Sequence, residues 1–387
     1  MNNSTISARP MQQLLFDSSD FSGCFFSAPT PKELLFKSYI DAILSIVPSA
    51  VMESGRSRTG RPDYPLADIL AVWIAKEVFG FATISYTLDF VRSNCNVRMI
   101  AGLDRVPSAA VISRRTGKLM EAMGIRHISD MLCRDFYKSR LVCHLSIDST
   151  PIEAREKPVS PEKPRMKLKK GRKKRGSKEA EDLEARRAED RRIEELEESG
   201  PIDEYLSTLN QQCAISGKKN SKGHMQWRIG YKAHLAVDDH GIIVSYAVTG
   251  ANVHDSRLAI PLLRMADMNC TFLYALMDGG YSSGRIESFV RDSGKVPVID
   301  FKASRNGDKP EMDPAKKYRY RSRTTVERTN SEMKECFLPA KLYSRGKNAL
   351  LEIELAILLT TIRRMDMVLK EEQAPGCGSP LSSSSIE

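Results

Sequence analysis

The sequence predicts an α+β or α/β architecture: a helical N-terminal domain, then a mixed sheet flanked by helices and broken by a charged insertion. Three observations carry this. Apolar residues recur at three and four residues between Pro31 and Arg140; short β-type runs begin at Leu141 and then alternate with helical stretches; and a block of charge from Glu156 to about Arg228 separates the first such run from the others.

In order along the chain, residues 1 to about 30 are rich in Ser, Asn and Gln without steady periodicity, and we expect a flexible N-terminus. The helical domain, 31–140, is marked by Leu66, Ile69, Leu70, Trp73, Ile74 and Val78, followed by Ile84, Leu88 and Val91. Ser108, after Pro107, is placed to cap a further helix carrying Val111, Ile112, Leu119 and Met123. The sheet domain, 141–373, opens with LVCHLSID (141–148). It continues with YKAHLAV (231–237) and IIVSYAV (242–248), joined through DDHG as a hairpin. A helix from Ser256 to Ala266, a strand over 271–277, a helix over 284–292 and a strand over 296–300 follow. The Gly/Pro/Ser-rich residues 374–387 read as a flexible tail.

The insertion divides by charge. Lys163 to Lys178 holds ten basic residues and no acid, whereas Glu179 to Glu198 holds ten acids and four arginines at helical spacing. One reading is a solvated helical excursion. The other gives the basic arm to DNA phosphates and the acidic helix to shielding that arm or meeting a partner.

Composition narrows the function. A formal charge of +10 favours a polyanionic partner, because Lys and Arg held near phosphates release condensed counterions. The eight cysteines are scattered without a C-x-x-C pair, which argues against a zinc module and for reduced thiols. No basic segment followed by an apolar run opens the chain, and no stretch of eighteen apolar residues occurs, so export and membrane insertion are not expected. We expect a cytoplasmic, nucleoid-associated protein with no membrane partner.

Three acids carry the chemistry. Asp148 follows the run 141–147, and Asp278 follows 271–277; parallel neighbouring strands would bring both carboxylates to one sheet edge, with Gly279 and Gly280 permitting close backbone approach. Such a site suits Mg2+ or Mn2+. Glu327 completes it from a helix on which Tyr320, Arg323, Glu327, Asn330, Ser331 and Lys334 share one polar face. Arg323 and Lys334 are placed to grasp phosphates, and Tyr320 to stack or hydrogen-bond. Bland alternatives exist for each: a lone strand-end Asp is usually a turn residue, and Thr324-x-x-Glu327 also spells a capping box. Asp255 reads as a helix N-cap, and His254 as either a packing residue or a contact near the metal site.

The spacing Tyr320-(2)-Arg323-(3)-Glu327-(6)-Lys334, together with LSIDSTPIEA, VTGANVHDS and ALMDGGYSS, resembles bacterial insertion-sequence transposases with a ribonuclease-H-like DDE domain. The likeness spans roughly Leu141 to Lys370, and 62–123 is similar, less specifically, to that family's N-terminal domain. It implies catalysis by Asp148, Asp278 and Glu327 through two divalent ions. It further implies binding of terminal inverted repeats, cleavage there, joining of 3′ ends to target DNA, and a homo-oligomer on paired ends. Arg114, Arg115 and Lys118, with Arg92, Arg98 and Arg105 nearby, are the candidates for sequence-reading contacts. The same acids would also serve a ribonuclease-H-like nuclease without strand transfer, and the basic face alone would serve a catalytically silent DNA-binding descendant.

Overall fold

The computed structural model describes residues 28–48, 51, 63–159, 178–219, 224–301 and 311–373. Most of the expected basic arm, the N-terminal residues 1–27 and the tail from 374 lie outside these.

Among the described residues, helices α1 (Pro31–Leu44), α2 (Leu66–Phe79), α3 (Ile84–Ser93), α4 (Cys95–Ile100), α5 (Ala109–Met123) and α6 (Ile125–Phe136) precede the sheet. Their starts follow local chemistry. Thr30 and Glu33 form a reciprocal capping box on α1, and Ser108 Oγ accepts from the Val111 amide at the head of α5. α2 is buried almost all round, which explains why its apolar residues exceed a single stripe.

The sheet comprises β1 (Leu141–Glu153), β2 (Ala214–Lys219), β3 (Met225–Val237), β4 (Ile243–Gly250), β5 (Thr271–Met277) and β6 (Val296–Ile299). β1 lies between antiparallel β3 and parallel β5; β4 pairs antiparallel with β3, and β6 parallel with β5. This mixed order, with helices on both faces, is the ribonuclease-H-like arrangement. Between β1 and β2 stand α7 (Lys178–Glu198) and α8 (Ile202–Thr208); after β4 come α9 (Ala259–Asn269) and, beyond β5, α10 (Gly284–Asp292). The described residues close with α11 (Pro314–Tyr320), α12 (Thr324–Phe337) and α13 (Lys347–Gln373).

Two cores sandwich the sheet. On one face Ala233, Leu235 and Val237 join Val326 and Met333 of α12, the buried length of α13 and the N-terminal helices in one cluster. On the other, Leu145, Ile147, Ala236 and Met277 pack under α9 and α10. Each fully buried Leu or Ile contributes about 1.5–3 kcal/mol. The helical region is therefore joined to the sheet through apolar packing around α13 and not only by a linker.

Three sequence expectations change. β1 does not stop at Ile147: it continues to Glu153 because its pairing with β3, which begins at Ser146, runs on from Asp148 to Glu153 after the parallel pairing with β5 has ended at Ile147. The insertion is only partly an excursion, since its last segment forms β2 and the first part of β3, paired Ile215 to Ile229 and Gly217 to Trp227. This ribbon leaves the sheet at Gly230, whose φ is +153° and where an added Cβ would lie 2.0 Å from the Ile152 carbonyl oxygen. The acidic helix α7 is also docked rather than solvated. Arg285 binds Glu197 and Glu198 at 2.5 Å each, and Arg264 donates to the carbonyls of Glu197 and Gly200.

Candidate active site

The parallel register pairs Ile147 with Met277, so Asp148 and Asp278 stand next to each other at one end of the β1–β5 pair. Side chains alternate along a strand, which sends Asp148 to the face covered by α12. There Glu327 and Asn330, three residues apart on α12, come within reach. Asn330 Nδ2 donates to Asp148 Oδ2 at 3.3 Å, and Arg323 donates to both Asp148 Oδ1 at 3.4 Å and Glu327 Oε1 at 2.7 Å. Asp278 Oδ1 accepts from the Gly280 amide at 2.8 Å, and an added Cβ at Gly280 would crowd that same oxygen. The three sequence-selected acids are thus brought together by two strands and one helix.

The capping-box alternative for Glu327 does not occur. α12 continues directly from a 3-10 turn over Arg321–Arg323, its first residues are already helical, and Thr324 Oγ1 donates back to the Arg321 carbonyl. Glu327 is left pointing at Arg323 instead of at a helix N-terminus.

Electrostatics favour a cation here. Burial pushes the Asp148 carboxyl up to about 6, with Asp278 and Glu327 adding to the rise and Arg323 opposing it. Three carboxylates face one bonded guanidinium, leaving excess negative charge. Among the described residues, Arg323 Nε and Asn330 Oδ1 are buried without hydrogen-bond partners, as is the Tyr281 hydroxyl near Asp148 and Asp278. The donor set, all hard oxygens around an incompletely satisfied cluster, fits Mg2+ or Mn2+. Their oxygens do not all lie within 4.8 Å of one another, whereas one Sγ, N or O atom each from Cys143, His144 and Asp239 do. That second group suits a metal poorly: His144 is hydrogen-bonded to Asp239 at 2.8 Å, and the Arg319 guanidinium stands 3.5 Å from its Nε2.

Around the acids, Tyr320 is half-buried with Arg323 6.0 Å from its ring centre; burial pushes its hydroxyl up to about 12. Lys334 lies farther along α12, held below the usual lysine range by burial and by Arg228, against the opposing pull of Asp148 and Glu153. Of the N-terminal candidates, Arg114 and Lys118 are exposed one turn apart on α5. Arg115 is not available in the same way: it is buried and paired with Asp63, because it falls on the inward face with Ile112 and Leu119. Asp255 is also reassigned. His254 caps the turn through Ser256, while Asp255 binds Lys232 at 2.8 Å. Asn330, Tyr281 and Arg228 were not selected as site residues by sequence; only Asn330 had a signal, its helical spacing from Glu327.

A family model described as the transposase DDE domain matches residues 141–362, more than half of the chain, from β1 into α13 and across all three acids. Comparison with curated proteins and with solved structures gave no match.

Proposed function

Because the chain belongs to the transposase DDE-domain family, we propose that it binds the terminal inverted repeats of a mobile element, cleaves at the element's ends and joins the freed 3′ ends to target DNA. The observation that carries this reading is the convergence of Asp148, Asp278 and Glu327 around Arg323 at one sheet edge. Asp148, Asp278 and Glu327 would hold Mg2+ or Mn2+. Bound there, two such ions would supply activation of a water or a 3′-hydroxyl and stabilisation of the leaving oxygen of a phosphodiester.

The protein's own groups do the positioning. Asn330 fixes one oxygen of Asp148, and the Gly280 amide fixes one of Asp278, so neither carboxylate needs to reorganise far to act as a ligand. Arg323 bridges Asp148 and Glu327 in the free protein, occupying the role of cation between carboxylates. Phosphoryl transfer asks mainly for orientation and charge stabilisation; Arg323 and Tyr320 border the place where the scissile phosphate would lie, and Lys334, farther along α12, would grasp a phosphate beyond it on the same strand. Arg114 and Lys118 would contact the terminal repeat. Action on paired ends implies a homo-oligomer, and a DNA substrate implies a cytoplasmic, nucleoid-associated protein. Among the described residues no helix is long and apolar enough to cross a membrane.

The test incubates the purified full-length chain with Mg2+ or Mn2+ and linear DNA carrying candidate terminal repeats, scoring cleavage and joining separately. Cleavage with joining is expected. Cleavage without joining leaves a nuclease, and sequence-specific binding without either leaves a DNA-binding descendant.

A further inference from the structure

A groove of about 250 Å³ runs between the β2–β3 ribbon and the far end of α12. Its walls are apolar, with Ile152 on one side and Leu338 and Pro339 on the other, and its two cations are Arg228 from the ribbon and Lys334 from α12. Neither cation has an ion-pair partner among the described residues. The acid that lines the groove, Glu153, is engaged by Lys341 at 3.0 Å. We propose that this groove is a subsite for a phosphodiester of the DNA strand passing the acid site, held jointly by Arg228 and Lys334.

The placement supports this, and the inference rests on the DNA-cleaving reading above. Asp148 and Ile152 belong to the same strand, so the groove lies about 13 Å along β1 from the acids. At roughly 3.4 Å of axis per nucleotide, that is about four nucleotide steps. Two like charges gathered in one half-buried groove repel; burial and Arg228 together already hold the Lys334 ammonium below its usual range. A phosphodiester removes that repulsion, and the guanidinium fork suits its oxygens. Apolar walls match the sugar rings between phosphates. Arg228 sits in the segment that joins the charged insertion to the sheet, which gives part of that insertion a role at the catalytic edge.

The experiment uses the full chain and a linear duplex of arbitrary sequence, since phosphate contacts carry no sequence information. Affinity is measured against salt in EDTA for the wild type, Arg228→Ala, Arg228→Lys, Lys334→Ala and the double alanine variant. Arg228→Ala should lower affinity several-fold and reduce the salt slope by about one. Arg228→Lys should retain the slope. The double variant should lose less than the sum of its singles, because one phosphate is shared. An unchanged slope in Arg228→Ala, or strict additivity, overturns the shared subsite. Inorganic phosphate distinguishes the source: if it alone, at modest concentration, abolishes the difference between wild type and Arg228→Ala, the groove takes free phosphate and not a DNA strand. The readout needs no metal and no cleavage. A wild type that binds with the expected slopes but never cuts with Mg2+ or Mn2+ defeats the DNA-cleaving reading alone.

Discussion

The chain contains two clusters with the same charges, one cation bonded to two carboxylates, and they behave differently. Lys76 of α2 binds Glu77 at 3.2 Å and Glu352 of α13 at 2.5 Å, all three side chains at most 1% exposed. Arg323 binds Asp148 and Glu327, but Glu327 is 54% exposed and a third acid, Asp278, stands beside them with no ion pair among the described residues. In the first cluster burial disfavours the surplus negative charge, pushing Glu77 well above the usual carboxylate range against the opposing pull of Lys76. In the second an opening to solvent lets a cation arrive. The difference teaches that a dry, closed triad ties helices together, whereas an open one beside a further acid leaves room for another cation.

The largest break in that comparison is chemical. Asp148→Asn, Asp278→Asn and Glu327→Gln should each lower cleavage by at least about 10³-fold in gel assays with Mg2+ or Mn2+. Duplex binding in EDTA should persist, because each change removes a ligand and little apolar packing. Glu327→Gln is the sharpest of the three, since Gln would preserve any helix-start role; cleavage near the wild-type rate in that variant would remove Glu327 from the site.

At the closed cluster the loss should be structural. Lys76→Ala leaves two carboxyl groups buried without their cation and should cost about 3–5 kcal/mol in denaturant unfolding. Arg323→Ala should cost clearly less, because Glu327 is already solvated and Asp148 can take up a proton. Equal losses would mean the two clusters do the same structural work.

Acid titration sharpens the contrast. The Asp148 carboxyl rises to about 6 in the folded chain from an ordinary value of 3.8, so between these values the folded state binds more protons than the unfolded one. Stability from this group is therefore greatest below the lower value and falls as pH rises through the window, by at most about 3 kcal/mol. Asp148→Asn should flatten that part of the metal-free stability profile from about pH 4 to pH 6. A profile with the same slope in both proteins would show that Asp148 is not the group responsible. Added Mg2+ should stabilise the wild type more at the upper end, where the carboxylate is charged.

Much of this was legible from sequence where the signal is local. The runs 271–277 and 284–292 match β5 and α10 because each is bounded by turn or cap residues, and the polar spacing from Glu327 to Lys334 foreshadowed the side of α12 that meets Asp148. The single helix face expected to include Tyr320 and Arg323 does not form, since Tyr320 ends α11 and Arg323 lies in the 3-10 turn before α12. The rest depended on distant pairing. AISGKK and MQWRIG have mixed polarity and look like loop until they pair, which places Ile215, Trp227 and Met225 on one exposed apolar face. β1 appeared to end at Ile147 because its second half is held by β3 rather than by a continuous apolar run. Arg115 and Asp255 look like surface residues in sequence, yet Asp63 and Lys232, far away in the chain, draw each into an ion pair.

The smallest expected effect concerns cations that belong to neither cluster. Arg114 and Lys118 are exposed on α5, and among the described residues neither has a carboxylate within ion-pairing distance, although Arg114 Nε donates to the Ala110 carbonyl at 3.3 Å. Truncating either should change unfolding stability by no more than about 0.5 kcal/mol, as for most surface substitutions. Arg115→Ala, one position along, should cost more because it removes a buried side chain from the α5 interface and frees Asp63. If α5 lies on DNA, Arg114→Ala and Lys118→Ala should each reduce the salt slope of duplex binding by about one, and Arg115→Ala should not once the protein is folded. Which base pairs the helix reads is then tested by comparing terminal-repeat DNA with a scrambled duplex. A loss equal on both marks phosphate contact, and a loss confined to the repeat marks contact with base edges. Unchanged binding in both exposed variants would move the recognition surface off α5 altogether.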